Sequence, residues 1–410
     1  MGGGHSHTHD APQVSTPRGT RIALAVTVAV IALVTVVGMW VLRPTGEGRP
    51  EVRESSANGV TYLEGEVVSV TPLDCGAFGT DPSTTTGAAP AGAECGRASV
   101  RITDGAEQGE SVQVDIPPDA VREGVGAPLV LLKIPGQVAG SPYTYYDMQR
   151  GQPLLLLSIA FALVVVLVAR WRGLRSLAGL AVAAAVVVGY LMPALLEGRS
   201  PVAVGLVSSA AIMIVVLYLA HGVSARTTTA LLGTFAGLAA TAGIGALAVA
   251  QARLTGVSGD ENAALQQAAQ QIDLRNLLTC GIILAGLGIL NDVTITQASA
   301  VYELHEAAPD LSPVQLYRQA MRIGRDHIAS TVYTVVFAYA GAALPVLLVI
   351  SLVDQPIGRI LTSADISEEI VRTMAGGIGL VLAVPATTAL AALVIRSGQG
   401  SGQGSGRHAA

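Results

Sequence analysis

The chain has 410 residues, 51% hydrophobic and only 13% charged, with a formal net charge of −5. A soluble chain of this size needs about twice that charged fraction, so most of the chain must use lipid as its solvent. The charge is spread along loops, which excludes a basic nucleic-acid footprint.

The first 21 residues read as a disordered tail containing GGGHSHTHD, in which His5, His7 and His9 alternate. Neutral imidazoles on a flexible tail bind divalent transition metals such as Zn, Ni or Cu, weakly, because nothing holds the geometry. The apolar run Ile22–Leu42 follows Arg18 and Arg21. Its length and the lack of a small-residue cleavage site before Arg43 predict a retained anchor and not a signal peptide.

Residues 43–150 change texture to alternating and β-branched residues broken by turn signals such as Asp104-Gly105 and Pro117-Pro118. Five short strands are expected, at Thr61–Thr71, Ala98–Thr103, Ser111–Ile116, Pro128–Ile134 and Tyr143–Met148. That is the size of a small closed barrel of OB or SH3 type. Gly76–Gly96 reads as a long loop, with Cys75 and Cys95 at its base. If the region is extracytoplasmic these two can form a disulfide, but sequence does not show that their Cβ atoms approach. Cys280, in an apolar run, reads as a small packing residue. Such a domain suits either a structural or partner-docking role or ligand binding, and fold alone does not choose.

Residues 151–396 read as a helical bundle and 397–410 as a second tail. A hydrocarbon core of about 30 Å needs roughly 20 apolar residues per helix. Seven further runs qualify: Pro153–Ala169, Leu174–Leu196, Pro201–Ala220, Thr227–Ala250, Leu277–Gln297, Ala329–Val353 and Met374–Ile395. The expected fold class is therefore an α-helical polytopic membrane protein of about eight spans with a small all-β extracytoplasmic domain. With the N-terminus inside, the cytoplasmic segments hold Arg170, Arg172, Arg175, Arg226, Arg318, Arg322, Arg325, Arg396 and Arg407. The positive-inside rule then places both termini in the cytoplasm and the chain in the plasma membrane. Trp40, Trp171 and the tyrosines 143, 145 and 146 fall at predicted interfaces, where aromatic belts are common. Pro193, Pro345 and Pro385 lie inside apolar spans and can kink them. The stretch Ser258–Asp273 opens with a Ser-x-x-Glu box and reads as a short external helix.

The sixth span and its extension, LAGLGILNDVTITQASAVYELHEAAPD, carry the most chemistry. Asp292, Thr296, Ser299 and Glu303 share one helical face, beside Asn291, and Gly288, Ala285 and Gly281 continue that face backward. Small residues admit a neighbouring helix, and an ionised aspartate facing lipid costs about 2.5–3.5 kcal/mol. Asp292 therefore either lines a polar pathway or sits near enough to the interface to be hydrated. Ser312, Pro313 and Gln315 form a helix start with a capping box. On the helix that follows, Arg318, Arg322 and Arg325 share a face suited to anionic lipid heads, or to pairing Arg325 or Arg322 with Asp292 or Glu303. Asp326 and His327 follow directly.

No HExxH, phosphate-binding loop, GxSxG elbow or second intramembrane aspartate is present, so enzymatic chemistry is not expected. The segments GILNDVTITQASAVYELHE and IGRDHIASTVYTVVFAYAGAALP resemble the YibE/F-like family of bacterial multi-pass membrane proteins, over about Val60 to Ile395. The resemblance implies a glycine-rich helix ending in Asp, a later Glu and a Gly-Arg-Asp, matched here by Asp292, Glu303, Gly324, Arg325 and Asp326. It implies an architecture rather than an activity. Three functions are therefore expected: a permease for a small solute or ion with its pathway along the sixth span; a non-transporting scaffold whose external domain docks a protein partner; or metal efflux or sensing through the His tract.

Overall fold

The computed structural model describes residues 18–47, 59–75, 94–135, 141–352 and 356–399. The chain divides into two compact units, Glu51–Leu167 and the remainder, Met1–Pro50 with Val168–Ala410.

The smaller unit is built on β1 (Thr61–Asp74), β2 (Glu94–Ile102), β3 (Ser111–Ile116), α2 (Pro118–Glu123), β4 (Pro128–Lys133) and β5 (Tyr143–Met148). All neighbours are antiparallel, in the order β3-β2-β1-β4-β5. The long strand β1 pairs with β4 through its first half and with β2 from Gly65 onward. Register shifts at Val67/Ser69 and at Val130/Leu131 bend the strands. The result is a small curled sheet. Alternate residues fill its inner face, among them Leu63, Val67, Val100, Ile102, Leu129 and Leu131. Cys75 and Cys95 are bonded, with Cα atoms 5.0 Å apart. Lys133 pairs with Glu107 and holds that carboxyl below its usual range.

Among the described residues, six helices are long and apolar enough to cross a membrane. They are α1 (Arg18–Val41), the stretch Gly151–Leu196, α5 (Pro201–His221), α6 (Ala225–Gln251), α8 (Leu274–Ala307) and α12 (Ala364–Gln399), the last from Ala364 to Arg396. The stretch from Gly151 begins in the smaller unit and comprises α3 (Gly151–Val186), a π-helical turn Val187–Leu191 and α4 (Met192–Leu196). Its 46 residues would span about 69 Å as one helix, more than twice a hydrocarbon core. The backbone breaks at Arg170 (φ 54°, ψ −132°), between the second and third expected spans. Pro193, lacking an N–H, cannot bond the Gly189 carbonyl, and the ladder widens into the π turn just before it. The seventh expected span, 329–353, is divided between α9 (Pro313–Ala342) and α10 (Leu344–Ser351), which Pro345 keeps from joining; neither is among the six.

Both halves of the predicted capping box open α9: the Ser312 hydroxyl accepts from Gln315 N, and the Gln315 side chain accepts from Ser312 N. The expected short helix is α7 (Asp260–Ala268), but its N-cap is Gly259 and Ser258 does not cap it. The Ser258 hydroxyl is committed elsewhere, to Glu368. At the end of α1, the backbone N–H groups of Thr45 and Gly46 each donate to the Glu197 carboxylate at 2.7 Å, tying the exit of α1 to the end of α4. The core of the bundle lies where α5, α6, α8 and α12 meet, around Met213, Leu217, Leu231, Leu290 and Leu380.

Candidate functional site

On α6, Gly233, Gly237, Thr241 and Gly245 recur every four residues and form one ridge of small side chains. The neighbouring helices rest directly on this ridge. A Cβ added at Gly233 would stand 2.0 Å from Thr387 Oγ1, and one at Gly379 would stand 1.8 Å from Thr241 Oγ1. Close approach brings polar groups together inside the bundle. The Thr234 and Thr294 hydroxyls are 2.7 Å apart. Gln297, 2% exposed, donates through Nε2 to the Ala320 carbonyl of α9 at 3.0 Å and to the Thr388 hydroxyl of α12 at 2.8 Å. The hydroxyls of Thr241, Ser208 and Ser209 are buried with no hydrogen-bond partner among the described residues. Buried polar groups carry a desolvation cost, so several of them inside an apolar bundle call for an explanation.

A cavity of about 220 Å³ lies at the end of the bundle where α8 and α12 begin. Glu368, 6% exposed, stands on the first turns of α12. Its Oε1 accepts from the Gly256 N–H at 3.1 Å and from the Ser258 hydroxyl at 2.8 Å. Gly256 has φ +73°, and a Cβ there would lie 2.2 Å from the Leu274 carbonyl oxygen, so only glycine fits. One turn further on α12, Arg372 has its Nε buried without a hydrogen bond among the described residues. Glu369 Oε2 is 3.9 Å from that nitrogen, an ion pair too long to be a hydrogen bond. Glu368 and Arg372, at i and i+4, form no ion pair with each other. Leu191, Leu195, Leu277, Leu278 and Leu284 wall the cavity, with Asn262 and the Cys280 thiol at its edge.

Around α12, Gly379 and Ala383 lie within about 60° of Glu368 and Thr387 about 100° round, so the four occupy one broad side of the helix. The charged cavity and the hydroxyl seam are thus in line, and the rise from Glu368 to Thr387 is about 29 Å, close to a hydrocarbon thickness. A larger, more open depression of about 930 Å³ lies between the end of α6 and α7, lined by Arg253, Arg275, Asp273 and three glutamines. It is an open feature made from the loops that join these helices and from the helix ends themselves.

The residues singled out on the sixth span do share a face, and the structure turns that face away from the bundle. Asp292, Thr296 and Glu303 are exposed, and Asn291 and Ser299 half-buried, the Asn291 Oδ1 lacking a hydrogen-bond partner among the described residues. The opposite face of α8 carries Leu290, Val293, Thr294 and Gln297, and it packs inward. Arg325 and Asp326 are exposed, and no ion pair among the described residues joins Arg322 or Arg325 to Asp292 or Glu303. Gly324, by contrast, is buried, its missing Cβ leaving room for the Gln297 amide, 3.0 Å from where it would stand. His5, His7 and His9 lie outside the described residues. Glu368 and Arg372 precede the last expected span, Met374–Ile395, and so read in the sequence as loop charges. Their i, i+4 spacing, on the face continued by Gly379, is the signal that marks them.

The YibE/F-like protein family matches residues 157–397. The match begins after the curled sheet and covers the helical bundle. No curated protein and no solved structure matches the chain.

Proposed function

The chain belongs to the YibE/F-like family, and on that premise we propose that this membrane protein is a permease whose pathway follows the α6–α8–α12 seam. The observation that carries the reading is a buried carboxylate and a guanidinium in an apolar-walled cavity, in line on α12 with a file of buried hydroxyls. Intramembrane ionisable groups mark solute and ion paths by default, and the threonine hydroxyls beside them, which also bond carbonyls one turn back, supply polar lining. The arginine distribution argues for a plasma-membrane protein with both termini in the cytoplasm, so the cavity would open outward. In this reading the close Gly379–Thr241 and Gly233–Thr387 contacts form a closed gate below the cavity. The pathway is moved from the Asp292 face of α8 to its Thr294 face. A deletion strain is screened for altered tolerance to ions and small metabolites, and the responsible solute is then followed into proteoliposomes. Solute flux that falls with Thr294→Val at unchanged folding is expected; absence of flux for every solute in the screen refutes the reading.

One observation favours a scaffold instead. Contacts this close leave no room between α6 and α12, and a seam that only locks helices would show them too. Seam variants would then lower stability without any flux phenotype, and deleting the β domain would remove a bound partner.

A further inference from the structure

Glu368 and Arg372 are one helical turn apart in a cavity of about 220 Å³, the spacing at which Glu and Arg ordinarily pair on a helix surface. They do not pair. Glu368 is anchored sideways by Gly256 N–H and Ser258 Oγ, both on Oε1. Arg372 keeps its Nε buried and without a hydrogen bond among the described residues, its nearest carboxylate oxygen being Glu369 Oε2 at 3.9 Å. A carboxylate accepts at about four lone-pair sites, so the anchored Glu368 retains capacity on Oε2. The guanidinium offers a planar fork suited to a carboxylate. A leucine wall from α4 and α8 completes the site. A lone anion would leave the Glu368 charge opposing it, and a lone cation would meet Arg372. A ligand bearing both charges on one carbon offers a partner to each group and adds no net charge to the site.

We infer that this cavity is a binding site for a small zwitterion with an aliphatic body, of the aliphatic α-amino acid class, its ammonium on Glu368, its carboxylate on Arg372 and its side chain against the leucines. The inference deepens the permease reading and rests on it for its place in transport, but its test is equilibrium binding and needs no flux. Binding without flux would remove the permease and keep the site; flux without binding here would remove the site and keep the permease.

The probe is radiolabelled L-leucine in equilibrium dialysis against the full-length protein in nanodiscs. Competitors are 4-methylpentanoate, which lacks the ammonium, and 3-methylbutylamine, which lacks the carboxylate. One saturable site is expected, with each competitor at least tenfold weaker than unlabelled leucine. Arg372→Gln and Glu368→Gln should each weaken binding at least tenfold. Leu195→Trp, which fills the cavity and leaves both charges in place, should abolish it in protein whose melting temperature is preserved, and so guards against a charge variant that fails to fold. No saturable binding to the folded wild type, 4-methylpentanoate competing as well as leucine, or binding indifferent to Leu195→Trp would each overturn the assignment.

Discussion

Replacing Gly379 by alanine tests the seam between α6 and α12. The new methyl would stand 1.8 Å from Thr241 Oγ1, 3.0 Å from Thr241 Cβ and 3.2 Å from the Gly237 carbonyl oxygen. Rotating Thr241 moves the hydroxyl but leaves its Cβ and the carbonyl where they are, so the helices must part by several tenths of an ångström. Overpacking of this kind costs about 1–3 kcal/mol. Alanine also gains up to about 1 kcal/mol over glycine in helix propensity, so the bare variant understates the strain. Gly377→Ala, on the same helix with nothing within 4 Å of its added Cβ, supplies the propensity term alone. The difference between the two variants should be about 1–3 kcal/mol, read from unfolding of the full chain in detergent against added dodecyl sulfate. Thr241→Ala removes a buried hydroxyl that has no hydrogen-bond partner among the described residues and should cost little by itself. Combined with Gly379→Ala it should recover only the part of the loss that comes from the Oγ1 contact, less than half, because the Cβ and the Gly237 carbonyl remain; a double-mutant cycle isolates that coupling. If Gly379→Ala is as stable as Gly377→Ala, α6 and α12 do not meet at this contact.

Gln297→Met keeps the volume and removes both donations to Ala320 and Thr388. A loss of about 0.6–1.7 kcal/mol is expected in the same assay, the range of interhelical hydrogen bonds in membranes. Cys95→Ser opens the 20-residue separation closed by the disulfide and should cost the curled sheet about 3 kcal/mol by chain entropy, seen as faster amide exchange in β1 and β2. Lys133 depresses the Glu107 carboxyl, so the pair's contribution is present above the ordinary glutamate range and is lost as pH falls through the lowered folded value. The sheet should therefore soften on acidification below about pH 4.5, and Glu107→Gln should flatten that dependence in pH-resolved exchange.

Some of this architecture is legible residue by residue. Five strands fall where β-branched alternation places them, and the Ser312-Pro313-Gln315 cap opens α9 because its chemistry is entirely local. The disulfide needed the pairing of β1 with β2, which brings Leu73 opposite Cys95 and Asp74 opposite Glu94; spacing alone left it open. Arg170, in the polar break between two apolar runs, is where the long helix turns.

Apolar run length and charge position, set by the energy of placing side chains in lipid, were determined by the sequence itself: a membrane bundle, its helices, a separate β unit. Which face of α8 turns inward was decided only by tertiary packing. In lipid a leucine gains as much outside the bundle as inside, so periodicity separates the polar Asp292 face from the Leu290–Thr294 face without ranking them. Contact with the glycine ridge of α6, where Leu290 meets Gly237, and the Gln297 bond to Thr388 of α12 chose the second face. The same packing placed Glu368 and Arg372 against leucines from helices distant in sequence, and so turned two charges that read as loop residues into the lining of a cavity.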